Sequence, residues 1–369
     1  MNSRERVFRA LSFEQPDRVP IDLWMSKGFK KKLLTASNAS EEALLDAHDV
    51  DLRYIEGPAY IGPPMREFAD GSSEDIWGVR RKGVTVRMTD GTETYEEVAE
   101  SPLAGATTVD QIDNYGHWPS PDWFDYSAIQ DQCRRIREQG RVVVFMGDRL
   151  NRVAQLKPAM YIRGMEQILV DMTLDPEIAE AVFASIRGFY CAYAERIFDA
   201  ANGGIDIILT GDDFGAQNGP IVSPDMWVRF LGKGFEDYIS LAKSYGARVM
   251  HHTCGSVRPI IPLMIERGLD VLQSIQPEAS DMDPAELKRE FGSRLAFHGG
   301  ISIQRTLPFG TPEDVRNEVR DRLEALGKGG GYILCTSHNI QADTPLSNFE
   351  ALLDAYRDLG QYSMLRTAF

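Results

Sequence analysis

Cysteine is scarce in this sequence, with four residues among 369: Cys133, Cys191, Cys254 and Cys335. Their irregular spacing in so long a chain excludes the disulfide framework of a small secreted protein. No stretch approaches the ~20 consecutive apolar residues of a membrane-spanning helix, and the first residues lack the apolar core of a signal peptide. We therefore expect a cytoplasmic protein.

Basic residues are in deficit as well. The 40 Lys and Arg are outnumbered by 55 Asp and Glu, which gives a formal net charge of −15. Because an acidic surface repels phosphate backbones and anionic lipids, we expect neither nucleic acid nor a membrane as a partner. The sequence contains no P-loop, no Gly-x-Gly-x-x-Gly after a strand and no Gly-x-Ser-x-Gly elbow, so no nucleotide cofactor is indicated.

Helical segments alternate with short apolar runs along much of the chain. The runs predict eight strands, at residues 20–24, 50–56, 142–146, 205–210, 249–252, 271–275, 295–298 and 332–334. Such runs are typical of buried parallel strands, and eight strand-helix units favour a (β/α)₈ TIM barrel, although an open doubly wound sheet fits the same pattern. Between residues 65 and 108, alternating runs and Asp-Gly pairs predict inserted β-hairpins. We expect one α/β domain over residues 1–369.

Polar side chains follow several of the predicted strands. In α/β folds ligands bind at the carboxyl ends of strands, so these residues predict one binding mouth. They are Asp148, Asp212, Asp213, His252, Cys254, Gln276, His298, Cys335 and His338. Asp212 and Asp213 lie between glycines and are candidates for catalysis or for holding a metal-bound imidazole, with a turn cap as the alternative. Gln276 and His298 are candidates for binding substrate.

Two strand ends carry residues typical of a metal site. His252 and Cys254 are two residues apart, and because alternate residues of a strand share a face, their imidazole and thiol project together. The pair alone is a weak signal, but a second strand end offers Cys335 and His338. Three such ligands favour a catalytic zinc site with one open position, completed by either Cys335 or His338.

Several segments together resemble one known family. They are Arg4-Glu-Arg-Val-Phe-Arg-Ala-Leu, Pro16-Asp-Arg-Val-Pro, Gly211-Asp-Asp-Phe-Gly, His252-Thr-Cys-Gly-Ser, Gly330-Gly-Tyr-Ile-Leu and Asp343-Thr-Pro. The chain resembles the uroporphyrinogen decarboxylase superfamily over nearly its whole length. It resembles more closely the methyltransferase branch, the methylcobalamin:coenzyme M methyltransferases and their relatives in corrinoid-dependent demethylation. The resemblance implies a (β/α)₈ barrel.

The resemblance also implies roles for individual residues. The decarboxylases carry an Arg-Gln-Ala-Gly-Arg signature, whereas residues 21–28 here contain no arginine. The decarboxylases also carry a catalytic Asp after an early strand. This chain has Glu56 in that place, as a candidate for binding substrate. Porphyrinogen decarboxylation is therefore not expected. The methyltransferases' zinc pattern carries over onto His252 and Cys254, and counting back from Asp343 places His338 at their second cysteine, with Cys335 as the alternative.

The resulting expectation is a zinc-dependent methyltransferase. It moves a methyl group between a corrinoid, carried as methylcobalamin by a separate corrinoid protein, and a thiol or other small acceptor, in either direction. One alternative is a cofactor-free decarboxylase that works through Asp212 or Asp213. Another is a non-catalytic protein that binds a corrinoid, and pairing into a homodimer stays open.

Overall fold

Seven parallel strands form the centre of the molecule, which the computed structural model describes over residues 1–89, 91–147 and 152–362. The strands are β1 (Leu52–Ile55), β2 (Val142–Phe145), β3 (Ile207–Gly211), β4 (Arg248–His252), β5 (Val271–Ile275), β6 (Ala296–Ile301) and β7 (Tyr332–Thr336). Each pairs in parallel with the next along the chain. The result is a curled α/β sheet, consistent with the expected TIM-like fold.

The two faces of the sheet bury different sets of side chains. Leu52, Val144, Leu209, Met250 and Ile333 belong to a compact cluster on the inside of the curl. Their strand neighbours face outward and pack against the helices in a much larger cluster. Because both faces are buried, the strands are apolar almost throughout, which is why they are recognisable in the sequence.

The prediction of a regular strand at residues 20–24 is wrong. The segment is extended, and only single bridges join Ile21 to Leu334 and Met25 to Ile340. The Leu334 N–H donates to the Pro20 carbonyl, and the Asp51 N–H donates to the Ile21 carbonyl. The segment thus contacts both β7 and the residue before β1. A full ladder does not form here because Pro20 has no N–H and the Ile21 N–H is taken by the Asp51 side chain.

Helices surround the sheet. They span Ser3–Leu11, Lys27–Ser37, Glu41–Ala47, Val109–Asp113, Ile129–Glu138, Leu156–Arg163, Met165–Leu174, Pro176–Ala201, Pro224–Trp227, Lys233–Ser244, Ile261–Glu266, Pro284–Phe291, Thr306–Phe309, Pro312–Arg322 and Leu346–Leu359. Several begin at the side-chain caps expected of helix N-termini, such as Ser26 and Asp283. Within the described ranges, no helix is long and apolar enough to cross a membrane.

The region predicted to contain β-hairpins holds a three-stranded antiparallel sheet, in which the short strand Ser73–Glu74 pairs with the first of two long strands, Arg80–Met88 and Gly91–Glu100. We call the two long strands the ribbon. Val84 and Val86 on its first strand are exposed, whereas Glu93 on its second strand is buried. At this end of the ribbon the second strand therefore contacts the rest of the protein, whereas the first strand faces solvent. Asp90, in the predicted turn, lies outside the described residues.

Candidate metal centre

Three of the predicted ligands come together at the carboxyl ends of β4 and β7. One ligand atom each from His252, Cys254 and His338 lies within 4.8 Å of the other two, and we call these residues the triad. His252 Nε2 lies 3.5 Å from Cys254 Sγ. Two such ligands on a tetrahedral zinc ion lie about 3.6 Å apart, given the usual Zn–N and Zn–S bond lengths. The donor set and its spacing therefore fit zinc.

The orientation of His252 is set by a neighbour on β5. Its Nδ1 makes a short hydrogen bond to Gln273 Oε1. Because an amide oxygen only accepts, Nδ1 carries the proton, and Nε2 presents its lone pair to the triad. Burial lowers the pKa of His252 well below its ordinary value and that of His338 to about 4. Both rings are thus neutral at pH 7, the form in which imidazole binds metals.

Gln273 is therefore expected to control metal affinity without touching the metal. Gln273→Leu removes the acceptor for the His252 Nδ1 proton and should weaken zinc binding about 10- to 100-fold. Gln273→Glu keeps an acceptor oxygen and should bind zinc at least as tightly as the wild type. Competition with a chromophoric zinc chelator measures both variants. Equal affinities for the leucine variant and the wild type would contradict this role.

Cys254 lies beside a charged pair. Burial, together with Asp213, raises the pKa of Cys254 to about 12. Asp213 Oδ1 accepts the Cys254 N–H at 3.1 Å and lies 3.5 Å from His252 Nε2, while Asp213 Oδ2 pairs with Lys157 Nζ at 2.5 Å. Burial acts to raise the pKa of Asp213, but the Lys157 ammonium and the Cys254 N–H hold it below its usual range. A thiolate at Cys254 thus needs a cation beside it, as a metal would provide.

The two predicted catalytic carboxylates point to different places. Asp212 is buried and accepts the backbone N–H groups of Gln155, Leu156 and Lys157 at 2.6, 3.1 and 2.7 Å. It therefore caps the helix Leu156–Arg163, where a carboxylate meets unpaired amides and the positive end of the helix dipole. Burial nevertheless raises the pKa of Asp212 to about 6. Of the two carboxylates, only that of Asp213 contacts the triad, whereas Asp212 reaches it through its backbone N–H, which donates to the His252 carbonyl at 3.1 Å.

Cys335, the alternative third ligand, lies in a different cluster. Its sulfur groups with Asp22 and His298, again with ligand atoms within 4.8 Å of one another, and all three residues are buried. His298 Nε2 is 2.9 Å from Asp22 Oδ2, which also accepts the Tyr54 O–H at 2.5 Å. The carboxylate of Asp22 is therefore already satisfied by protein donors. The prediction that His298 follows the end of its strand is wrong, because β6 continues to Ile301 and His298 is fully buried within it. Its role in binding substrate stays a prediction.

Trp24 connects this cluster to the triad. Its indole Nε1 donates to Tyr54 Oη at 2.7 Å. Its ring lies 5.9 Å from the rings of both His252 and His298, measured between centroids. The inner wall of the sheet next to the triad is thus a hydrogen-bonded aromatic surface, and its members hold one another in place.

The remaining predicted residues are placed as follows. Gln276 Oε1 accepts the Gly255 N–H at 2.9 Å and so supports the turn after Cys254. Gly255 has φ +78°, and a Cβ there would lie 2.6 Å from the Gly215 backbone, so the turn requires glycine. Glu56 is exposed, and within the described ranges its side chain has no hydrogen bond or ion pair with the triad. Asp148 lies outside the described residues.

Sequence reasoning missed several contributors. Gln273 and Asp22 each interrupt an apolar run, which is a readable signal because a polar residue buried in a strand needs a partner. Lys157 and Glu93 stand in unremarkable helix and ribbon contexts and carry no such signal. Their roles depend on contacts between segments far apart in the chain.

Comparisons with known proteins add the following findings. The family model described as uroporphyrinogen decarboxylase (URO-D) matches residues 85–359. A methylated-thiol–coenzyme M methyltransferase of Methanosarcina mazei is 24% identical over 239 residues, which cover 61% of this chain and 60% of the relative. A uroporphyrinogen decarboxylase of Coxiella burnetii is 23% identical over 190 residues, 50% of this chain and 48% of the relative. The aligned stretches thus span roughly half to three fifths of these relatives.

One solved structure covers almost the whole chain. A methyltransferase from Methanosarcina mazei superposes with a TM-score of 0.65 at 18% sequence identity, covering 97% of this chain and 99% of that one. At this identity the likeness concerns the fold alone. It agrees with a curled parallel sheet surrounded by helices.

Proposed function

Since this chain belongs to the uroporphyrinogen decarboxylase family, whose model matches residues 85–359, we propose that it is a zinc-dependent methyltransferase. It moves a methyl group between a corrinoid, carried by a partner protein, and a thiol or another small acceptor. The observation that supports this proposal is the triad of His252, Cys254 and His338. The similarity to a methylated-thiol–coenzyme M methyltransferase points to the same chemistry.

In this proposal the triad holds zinc and leaves one position for the acceptor. When bound, zinc supplies a Lewis acid that keeps a thiol ligand deprotonated at neutral pH, and the corrinoid supplies the methyl carrier. His252 is buried, whereas Cys254 and His338 are partly exposed. The triad thus opens to solvent on the Cys254 and His338 side. The acceptor and the corrinoid protein would approach from that side.

A carboxylate beside a metal centre can orient the ligands or transfer a proton. The Lys157 ammonium holds the pKa of Asp213 below its usual range, which makes Asp213 a weak base. Its contacts with the Cys254 amide and the His252 ring suit it to stabilising positive charge at the triad. We therefore assign Asp213 the orienting role and Gln273 the control of the His252 ring. Asp212 contributes indirectly, since it caps the helix that carries Lys157, the partner of Asp213.

A methyl-transfer assay tests the proposed function. Zinc-loaded protein is mixed with free methylcobalamin and a panel of thiols, and demethylation is followed by the absorbance of the corrinoid. We expect turnover that falls by more than about 100-fold after chelation of zinc or in Cys254→Ala, because even partners outside the ligand shell contribute up to that factor. The matched control is Cys191→Ala, a half-buried cysteine on the helix Pro176–Ala201.

Other outcomes of the assay separate the alternatives. Activity on a carboxylated substrate that survives chelation and is lost in Asp213→Asn would instead support the decarboxylase. Tight binding of the corrinoid without turnover of any thiol would support the non-catalytic protein. Neither result is expected from a triad whose donors fit zinc.

A further inference from the structure

The ribbon contacts the loop that carries His338 toward the triad. We call residues 339–344, which directly follow His338, the His338 loop. Glu93, on the second strand of the ribbon, is only 5% exposed although it is a carboxylate. Its Oε1 accepts the Ala342 N–H at 3.2 Å. A buried carboxylate from a separate part of the chain thus binds the backbone of this loop.

The same carboxylate binds the start of a neighbouring helix. Glu93 Oε2 accepts the Gly28 N–H at 3.2 Å, and Oε1 also receives a short hydrogen bond from Ser26 Oγ. These donors lie at the N-terminus of the helix Lys27–Ser37, whose cap is Ser26. A carboxylate is favoured at that position by the unpaired amides and the helix dipole. Both oxygens of Glu93 are therefore used, one of them twice.

Further contacts hold the loop on the same side. Tyr95, also on the ribbon, donates its O–H to Gln341 Oε1 at 2.7 Å. Lys32 Nζ donates to the carbonyls of Ala342 and Thr344 at 3.1 and 2.9 Å. A Cβ on Gly91 would lie 2.7 Å from Ala342 Cβ, so the ribbon approaches the loop as closely as its backbone allows. These contacts hold the His338 loop at Gln341, Ala342 and Thr344.

The other side of the loop is held by the extended segment near Trp24. The Ile340 N–H donates to the Trp24 carbonyl, and the Ser26 N–H donates to the Ile340 carbonyl, both at 2.9 Å. Ser26 therefore binds the loop through its backbone, and its side chain binds Glu93. Glu93 completes a ring of hydrogen bonds that joins the ribbon, the helix start and the loop.

We propose that Glu93 is a positioning residue for the metal centre. It fixes the His338 loop so that His338 meets His252 and Cys254, and this role rests on the proposed function. Gln341 Nε2 also donates to the Asn339 carbonyl at 3.0 Å, so the restraint extends to the residue next to His338. Without Glu93 the loop keeps its contacts with Trp24 and Lys32 but loses its connection to the ribbon at Ala342.

Zinc affinities of matched variants test this proposal. Glu93→Gln keeps the size of the side chain but replaces one acceptor oxygen with a donor, and should weaken zinc binding about 10- to 100-fold, as loss of an outer support does. Glu100→Gln is the control, because this exposed glutamate on the same strand pairs with Arg80. Its affinity should equal that of the wild type. Chelator competition, with a weak competitor for the weaker variants, measures all of them.

A double variant separates positioning from general damage. If Glu93 acts through His338, Glu93→Gln should cause no additional loss of affinity in a His338→Ala background. Equal losses in both backgrounds would mean that Glu93 only supports the fold and would overturn the proposal. So would a Glu93→Gln affinity equal to that of Glu100→Gln.

A measurement without metal distinguishes this proposal from the proposed function. Hydrogen exchange at the Ala342 amide in the metal-free protein should be faster in Glu93→Gln than in Glu100→Gln, because the acceptor charge is lost. Unchanged exchange would overturn the role of Glu93 and would leave the proposed function intact. Absence of zinc binding by the wild type would overturn the proposed function and the metal-directed role with it, whatever the exchange result shows about the loop.

Discussion

His338→Ala should be purified without zinc, whereas Cys335→Ala should retain about one zinc per chain, the content expected for a single catalytic site. The reason is the placement of the two residues. His338 follows the end of β7 and meets His252, with 5.4 Å between the ring centroids. Cys335 lies within β7, fully buried, and groups with Asp22 and His298. Elemental analysis of protein purified without chelator measures the difference.

Two further variants sharpen this experiment. His252→Ala should lose zinc as completely as His338→Ala, because either change leaves only two triad ligands. His338→Cys replaces an imidazole with a thiolate at the same position, and should retain zinc because both are good ligands for it. Zinc lost from Cys335→Ala and kept in His338→Ala would make Cys335 the third ligand and would require the β7 end to rearrange.

The identity of the third ligand also affects the chemistry. One thiolate and two imidazoles leave zinc less electron-rich than two thiolates and one imidazole, and therefore more acidic toward a fourth ligand. The His338→Cys variant changes this property while keeping the metal. A shift in which thiols the zinc-loaded protein accepts, compared between His338→Cys and the wild type, would show that the ligand set tunes acceptor preference.

Part of the site is predictable because it follows from strand geometry. The spacing of His252 and Cys254 predicts that they project together, and parallel strands end at one edge of the sheet, so the sequence predicts that the pair meets a partner from β7. The structure brings them together although β4 ends at His252 and Cys254 lies in the turn that follows. The choice between Cys335 and His338 was open because it depends on where β7 ends. The strand runs to Thr336, which leaves Cys335 inside the sheet and His338 beyond it.

The rest depended on contacts that sequence patterns do not encode. Asp212 and Asp213 are adjacent and chemically alike, yet one caps a helix and the other contacts the triad. The helix that begins at Leu156 determines which of the two carboxylates serves as its cap, and this helix is distant from both in the sequence. The residues predicted as an eighth strand contain Pro20, and their pairing is partly taken over by a side chain, Asp51. Glu93 becomes relevant only when the ribbon meets the His338 loop.

Asp51 gives the second large expected effect. Asp51→Ala should lower the free energy of unfolding by about 3–5 kcal/mol, because it removes the buried carboxylate that two buried arginines share. Arg6 then keeps Asp17 and Arg18 keeps Asp49, and both of these carboxylates are exposed to water. Asp51 is fully buried, and its carboxylate accepts Arg6 Nη1 and Arg18 Nη1, both at 2.7 Å. It also accepts the Ile21 N–H at 2.8 Å. Urea denaturation, with the midpoint and slope compared with the wild type, measures the loss.

A matched surface pair serves as the control. Asp354 pairs with Arg357 at 2.8 Å on the helix Leu346–Leu359, and both side chains are more than half exposed. Asp354→Ala should change stability by less than about 1 kcal/mol, since water and salt screen such pairs. Losses of similar size in Asp51→Ala and Asp354→Ala would mean that Asp17 and Asp49, which already pair with Arg6 and Arg18, compensate for the loss of Asp51.

The Asp51 network also connects stability to the candidate site. Ile21, held by Asp51, is followed by Asp22, which binds Tyr54 and His298 on the inner wall beside Trp24. A milder change, Asp51→Asn, keeps an acceptor oxygen but removes the charge, so the protein should remain folded with reduced stability. Because Asp51 holds the extended segment at residues 20–24, this variant should speed hydrogen exchange at the Asp22 amide, which donates to the Leu334 carbonyl. Unchanged exchange there, despite lower global stability, would show that β7 alone keeps the segment in place.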